Sequence, residues 1–388
     1  MKGVMKKICF VTTVSLTMRA FVVETAKYLH RELGWDVTLI CSPDETFAAS
    51  LPEYLHYIPV KMNRGMDLSA LRSIRDFVRV FRREKFDMVQ YSTPNAACYA
   101  SIAAKIAKVP VRLYAQWGIR YTGLSGLSRR VFRNIEKMVC RKSTHIRSVS
   151  PMNREFGIAE GLYSAEKVSV VGNGGTIGVD LESYGIENKH KWSSEIRSRY
   201  GISENDFVFG FAGRITVDKG CTELLTAFRE CVQDGGNGKL LAVGPMDDDH
   251  GVDKELIAWA KASGRVIFTG GVPGEEMRKF YAAMDVLVHP TYREGFGMVL
   301  QEAGALGVPA ITTRIIGASE VMVDGESCLL VEPKDAASLA AAMQQLYRDE
   351  ALASRLSRAV YDRTKTLYSR PVMLENQKAD YVSLLGEQ

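Results

Sequence analysis

No run of eighteen apolar residues occurs in the 388-residue chain, so no membrane-spanning helix is expected. The seven cysteines (Cys9, Cys41, Cys98, Cys140, Cys221, Cys231 and Cys328) include no C-x-x-C pair. An odd, scattered set argues against a disulfide framework and for a reducing, cytoplasmic setting. No His/Cys cluster has zinc spacing, and no metal is expected. The first strand is not followed by a G-x-G-x-x-G fingerprint, which weakens a dinucleotide oxidoreductase reading. Solenoid-length repeats and low-complexity tracts are absent. The short apolar run near the N-terminus lacks a small-residue cleavage site and reads as a strand, not a signal peptide.

What is present is an ordinary globular composition, 46% apolar and 24% charged, at a length that suits two domains. Charge is uneven. Residues 1–183 hold 27 Lys and Arg against 16 Asp and Glu, and the remainder is net acidic. A basic first half suggests an anionic partner.

The most informative stretch runs from Asp285 to Pro333. Asp285 to Pro290 reads as a buried strand, Met298 to Leu306 as a helix stopped by Gly307, and Ala310 to Thr313 as the next strand. Between strand and helix lies a loop with Glu294, Gly295, Phe296 and Gly297. Open α/β sheets bind ligands beyond the carboxyl ends of their strands, and a helix start favours an anion. Glu294 and Glu302 bracket the loop, and carboxylates accept hydrogen bonds from paired sugar hydroxyls. Two acids flanking an anion site suggest a ligand with phosphate in the middle and a sugar on each side.

These residues resemble the E-x7-E signature of retaining glycosyltransferases of family 4. The segment GASEVMVDGESCLLVEP is similar to the segment that follows it in the family, with Ser327 and Cys328 standing at the pattern's second glycine. The resemblance implies an α/β GT-B fold: two Rossmann-like domains facing across a deep interdomain cleft. Expected boundaries are 1–185 for an acceptor-binding domain, 186–368 for a nucleotide-sugar-binding domain, and 369–388 for a C-terminal helix packing back on the first.

Further segments fit that picture. Phe207 to Gly213 reads as a strand, and Gly213-Arg214 with Lys219-Gly220 looks like the family's phosphate-binding pair, a fork and a point charge for a diphosphate. Val272, after the strand Val266 to Thr269, is implied to touch the nucleotide base through its backbone. Glu294 is implied to hold donor-sugar hydroxyls and Glu302 the ribose. The amides from Gly297 through Met298 to Val299 are implied to stabilise the leaving diphosphate beside Arg214 and Lys219. The acidic run Asp247 to Asp249 with His250 reads as solvated.

The first domain departs from the family. Its first loop, expected over Val14 to Arg19 before a helix Ala20 to Leu33, lacks the usual glycines, so Ser15, Thr17 and Arg19 would serve the donor phosphates or the acceptor. Ala115-Gln116-Trp117-Gly118 occupies the place of a T-x-H-G segment, and Trp117 stands where relatives carry a His. Thr17, Trp117 and Arg120 are the acceptor-side or sugar-side candidates. The six histidines, His289 included, read as structural. Asp67 to Phe86 reads as an amphipathic helix with Leu71, Ile74, Phe77, Val78 and Phe81 on one face and arginines elsewhere. That pattern suits either a solvated face or anionic lipid head groups.

The resemblance implies sugar transfer from a nucleotide-sugar, a UDP-linked hexose or N-acetylhexosamine, with no further cofactor. The expected acceptor is a polyprenyl diphosphate-linked saccharide in capsule, exopolysaccharide or O-antigen (lipopolysaccharide) synthesis, at the cytoplasmic face of the plasma membrane. No nucleic acid partner is expected. Transfer to a soluble small molecule or glucan, and a nucleotide-sugar-binding protein without turnover, are the alternatives.

Overall fold

Strand β1 (Lys7–Val11) buries Ile8, Cys9, Phe10 and Val11 almost completely, because helices cover both faces of a parallel sheet and leave a central strand no wet side. In this computed structural model, residues 5–63, 69–233, 237–246 and 251–386 are described. β2 (Asp36–Cys41), β3 (Leu55–Pro59), β4 (Met88–Tyr91), β5 (Val111–Gln116), β6 (His145–Ser148) and β7 (Val168–Val170) complete a parallel sheet ordered β3-β2-β1-β4-β5-β6-β7. A second parallel sheet is built from β8 (Phe207–Ala212), β9 (Gly238–Val243), β10 (Val266–Phe268), β11 (Val286–His289), β12 (Ala310–Thr313) and β13 (Cys328–Val331). Its order is β10-β9-β8-β11-β12-β13. Strand order reverses between β1 and β4 in the first sheet and between β8 and β11 in the second. At such a reversal the loops diverge and leave a crevice at the carboxyl ends of the strands.

The described residues form two compact units, one running to Ile177 and resuming at Pro371, the other Gly178–Arg370. The division lies earlier than the expected 185/186 and later than the expected 368/369. The reason is local: Val179 bridges to Ser369, and Arg370 pairs with Asp180 at 3.0 Å, which ties residues 178–185 to the second unit.

In the first unit the helix Arg370–Leu384 buries Tyr381 against Phe10. The Tyr381 hydroxyl donates to Gln90 Oε1 at 2.6 Å. The buried Arg147 guanidinium lies 4.2 Å from the Tyr381 ring and pairs with Asp380. In the second unit Phe209, Phe211, Leu240, Val288 and Ile311 fill the core beneath the sheet.

Several expectations need correction. Ser15–Phe21 is helical and a second helix, Val23–Leu33, follows after a break at Val22. The expected loop fails because that stretch holds no glycine and several good helix formers. The basic helix spans Ser69–Glu84, and Phe77 and Phe81 are buried, but Leu71 stands 68% exposed near its first turn. Asp67, and the run Asp247 to His250, lie outside the described residues. No helix among the described residues is long and apolar enough to cross a membrane.

Candidate active site

The loops that leave β8 and β11 meet at the strand-order reversal of the second sheet. Gly220, at φ +71°, makes this possible: a Cβ there would come within 2.0 Å of the Pro290 carbonyl oxygen. Tyr292 N–H donates to the Asp218 carbonyl at 3.0 Å, and the Thr291 hydroxyl adds a 3.4 Å bond to the same oxygen. The result carries Lys219 Nζ to 3.0 Å from Glu294 Oε2.

Glu294 is the centre of a small charged cluster. His289 Nε2 lies 3.2 Å from the same Oε2, and the Gly295 N–H donates to Oε1 at 3.0 Å. Burial pushes the carboxyl upward, but His289 and Lys219 outweigh it and hold Glu294 well below the ordinary carboxylate range. It is therefore an anion at neutral pH. His289 is 1% exposed, and its Nδ1 is buried with no hydrogen-bond partner. By sequence His289 reads only as the end of a buried strand. Its position at the last residue of β11, five residues before Glu294, was the available signal.

Glu302 sits in the helix Met298–Gly304. Its Oε2 accepts from the Tyr281 hydroxyl at 2.8 Å, and the Tyr184 hydroxyl also bonds it. Burial raises the Glu302 carboxyl above its usual range, and the two tyrosine hydroxyls oppose that rise. Neither tyrosine was anticipated from sequence.

The remaining second-unit candidates sort by exposure. Arg214 is half exposed and leans toward Asp218 at 4.0 Å. Gly213 follows β8 directly, and Val272 lies in the loop after β10 at the same sheet edge. Phe296 turns inward: its ring is 3% exposed and packs edge-on to Tyr368 at 5.8 Å. Its carbonyl accepts from Gln301 Nε2 at 3.2 Å. Gly297 heads the helix, and Met298 and Val299 remain partly accessible. Gly317, at φ +91°, presses on this loop; a Cβ there would lie 2.6 Å from the Gly295 carbonyl oxygen and 2.7 Å from that of Glu294.

In the first unit, Thr17 and Arg120 line one cavity of about 480 Å³. Trp117 is not part of it. Its ring packs on Phe21 at 5.3 Å, in the apolar cluster on the opposite side of β1.

Comparison with known proteins covers both units. Residues 193–363 match the model described as glycosyl transferases group 1, and residues 7–150 match glycosyl transferase 4-like. The chain is 31% identical over 358 residues to the capsular polysaccharide biosynthesis glycosyltransferase CapM of Staphylococcus aureus, covering 92% of each chain. It is 22% identical over 332 residues to the UDP-Gal:alpha-D-GlcNAc-diphosphoundecaprenol alpha-1,3-galactosyltransferase of Escherichia coli, covering 82% of this chain and 81% of the other. Among solved structures, Anabaena Alr3699/HepE in complex with UDP and glucose superposes with a TM-score of 0.78 at 21% identity, over 97% of this chain and 99% of that one. The fold is GT-B.

Proposed function

Because the chain belongs to glycosyltransferase family 4, and is a glycosyltransferase of the capsular-polysaccharide type, we propose that it moves a hexose or N-acetylhexosamine from a UDP-sugar to a lipid-linked saccharide. The acceptor belongs to capsule, exopolysaccharide or O-antigen assembly, and the anomeric configuration is retained. The bond from the anomeric carbon to the diphosphate oxygen breaks. A bond to an acceptor hydroxyl oxygen forms on the same face, and the hydroxyl proton passes to the departing diphosphate. No side-chain base is needed.

The observation that carries this reading is the Lys219–Glu294–His289 cluster at the reversal between β8 and β11. It supplies a cation for the diphosphate beside a fixed carboxylate for the donor-sugar hydroxyls. Arg214, from the same loop and half exposed, adds a second cation. Prearranged charges of this kind stabilise the developing negative charge without reorganising during the reaction. Glu302, oriented by Tyr281 and Tyr184, takes the ribose hydroxyls. Gly297 to Val299 offer main-chain N–H groups to the diphosphate, and Val272 meets the base.

The lipid-linked acceptor and a peripheral place on the inner face of the plasma membrane are supported by the relatives' names and by the basic helix Ser69–Glu84. Arg79 and Arg82 stand exposed there, and Arg79→Glu with Arg82→Glu should reduce binding to anionic vesicles.

The test of the site is donor turnover. The full-length protein, incubated with UDP-sugars, should hydrolyse one of them slowly in the absence of acceptor. Glu294→Ala should abolish that hydrolysis and keep the folded circular dichroism spectrum, at a lowered unfolding temperature because Lys219 and His289 lose their anionic partner. Full activity in this variant would refute the assignment.

A further inference from the structure

The reversal between β1 and β4 in the first sheet has its own cavity, of about 480 Å³, within the ~300–1,000 Å³ usual for small-molecule sites. Its mouth is formed by the loops after β1 and β4, tied together where the Thr13 and Thr93 hydroxyls meet at 2.8 Å. Thr93 holds φ +66°, a conformation that costs a β-branched residue about 1–3 kcal/mol and concentrates at functional positions. The walls are largely apolar and aromatic, with Tyr99, Tyr121, Phe132 and Ile135 among them.

One wall residue does not fit an apolar chamber. Glu136, from the helix Gly126–Lys142, lines the cavity with a carboxylate. Two donors fix it: the Tyr114 hydroxyl at 2.9 Å and Gln116 Nε2 at 2.6 Å, both on Oε1. Gln116 is itself oriented by the Tyr163 hydroxyl, which donates to its Oε1 at 2.9 Å. Among the described residues no group donates to Oε2 of Glu136. Burial raises this carboxyl above its ordinary range, which expresses the cost of leaving the charge under-solvated. An alkyl or isoprenyl chain filling the chamber would deepen that cost, because it offers no donor. A hydroxylated ring removes it: its hydroxyls donate to the carboxylate while its C–H faces pack on the aromatic walls.

We infer that this cavity receives the terminal sugar of the acceptor, and that Glu136 Oε2 accepts a hydrogen bond from one of its hydroxyls. The inference rests on the transferase reading above and names what the acceptor must present, a pyranose hydroxyl rather than the lipid. Tyr114, Gln116 and Tyr163 are positioning residues that act through Glu136.

The test uses the full-length protein with methyl glycosides of glucose, galactose and N-acetylglucosamine as probes, read by saturation-transfer NMR, and with UDP in the same samples, read by thermal shift. At least one glycoside should bind. Glu136→Leu should weaken it about tenfold or more, the worth of one hydrogen bond to a charged group, while leaving the UDP shift unchanged. Glu136→Gln, which keeps an acceptor oxygen and the shape of the side chain, should recover part of the loss and guards against a simple folding defect. A glycoside that binds equally well to the Leu variant overturns the inference, as does a protein that gives a normal UDP shift and binds none of the three. Loss of the UDP shift in the unmutated protein overturns the donor reading as well.

Discussion

Lys219 Nζ and Glu294 Oε2 lie 3.0 Å apart although 75 residues separate them in the chain. Each reaches the other from the loop after a different strand, and His289 closes on the same oxygen from the end of β11. On the proposed reading, a cation and a carboxylate held this way preset both charges that sugar transfer uses.

Removing the cation should therefore fall mainly on the chemical step. Lys219→Ala is expected to lower kcat by about 10²–10³-fold, the range seen when one preorganised charge-stabilising group is lost. Initial rates of UDP release across a range of donor concentrations check this. A variant that changed only KM would place Lys219 in ground-state binding alone.

The same cluster has a pH signature. Folding lowers the Glu294 carboxyl, so on the acid side the unfolded chain binds the proton more tightly than the folded one. The stabilisation is complete above the ordinary glutamate value of about 4.3 and is lost as pH falls from there toward the lower folded value. Urea unfolding at a series of acid pH values should show this decline in the unmutated protein and a shallower one in Glu294→Gln.

Glu302 has the opposite sign. Its carboxyl is raised by burial, so its contribution is present below the ordinary carboxylate range and is lost as pH rises through the folded value. Glu302→Gln should be as stable as the unmutated protein at neutral pH, or slightly more so, yet bind UDP more weakly. Paired thermal melts with and without UDP separate the two effects.

Gly317 is the steric test. Ala at this position would sit at φ +91° with its Cβ against the Glu294 and Gly295 carbonyl oxygens. Gly317→Ala should destabilise the fold by about 2 kcal/mol or more and displace the loop that carries Glu294. Urea denaturation together with donor hydrolysis reads both consequences.

The C-terminal helix is held to the first unit by a buried hydroxyl. Tyr381→Phe removes the donor to Gln90, itself 5% exposed, and leaves a buried amide oxygen without it. A loss of about 1–3 kcal/mol is expected, seen as a lower urea midpoint at unchanged slope.

Strands were the most legible part of the fold. Ile8 to Val11, Phe207 to Ala212 and Val286 to His289 are continuous apolar runs because parallel strands are buried on both faces, and no neighbour can disguise that pattern. The helix that starts at Met298 was equally clear. Leu71 departs from the expected apolar face, standing 68% exposed, because periodicity assigns a face to a whole helix whatever its neighbours cover. Motif spacing singles out Glu294, Glu302, Arg214 and Lys219 as candidates, and the structure brings Lys219 and Glu294 together. Tyr281, Tyr184 and Glu136 were not legible, since each meets a side chain some 20 residues or more away in sequence; His289, five residues before Glu294, is hidden instead by its place at the end of a buried strand.

Sequence alone determined the alternation of buried strands with helices, the family resemblance, and which residue types stand at the strand ends, because backbone burial and local spacing are written along the chain. Only the tertiary structure decided which strand ends adjoin. Parallel sheets with crossover connections bring β8 beside β11 and β1 beside β4, and that pairing puts Lys219 against Glu294 and opens a chamber around Glu136.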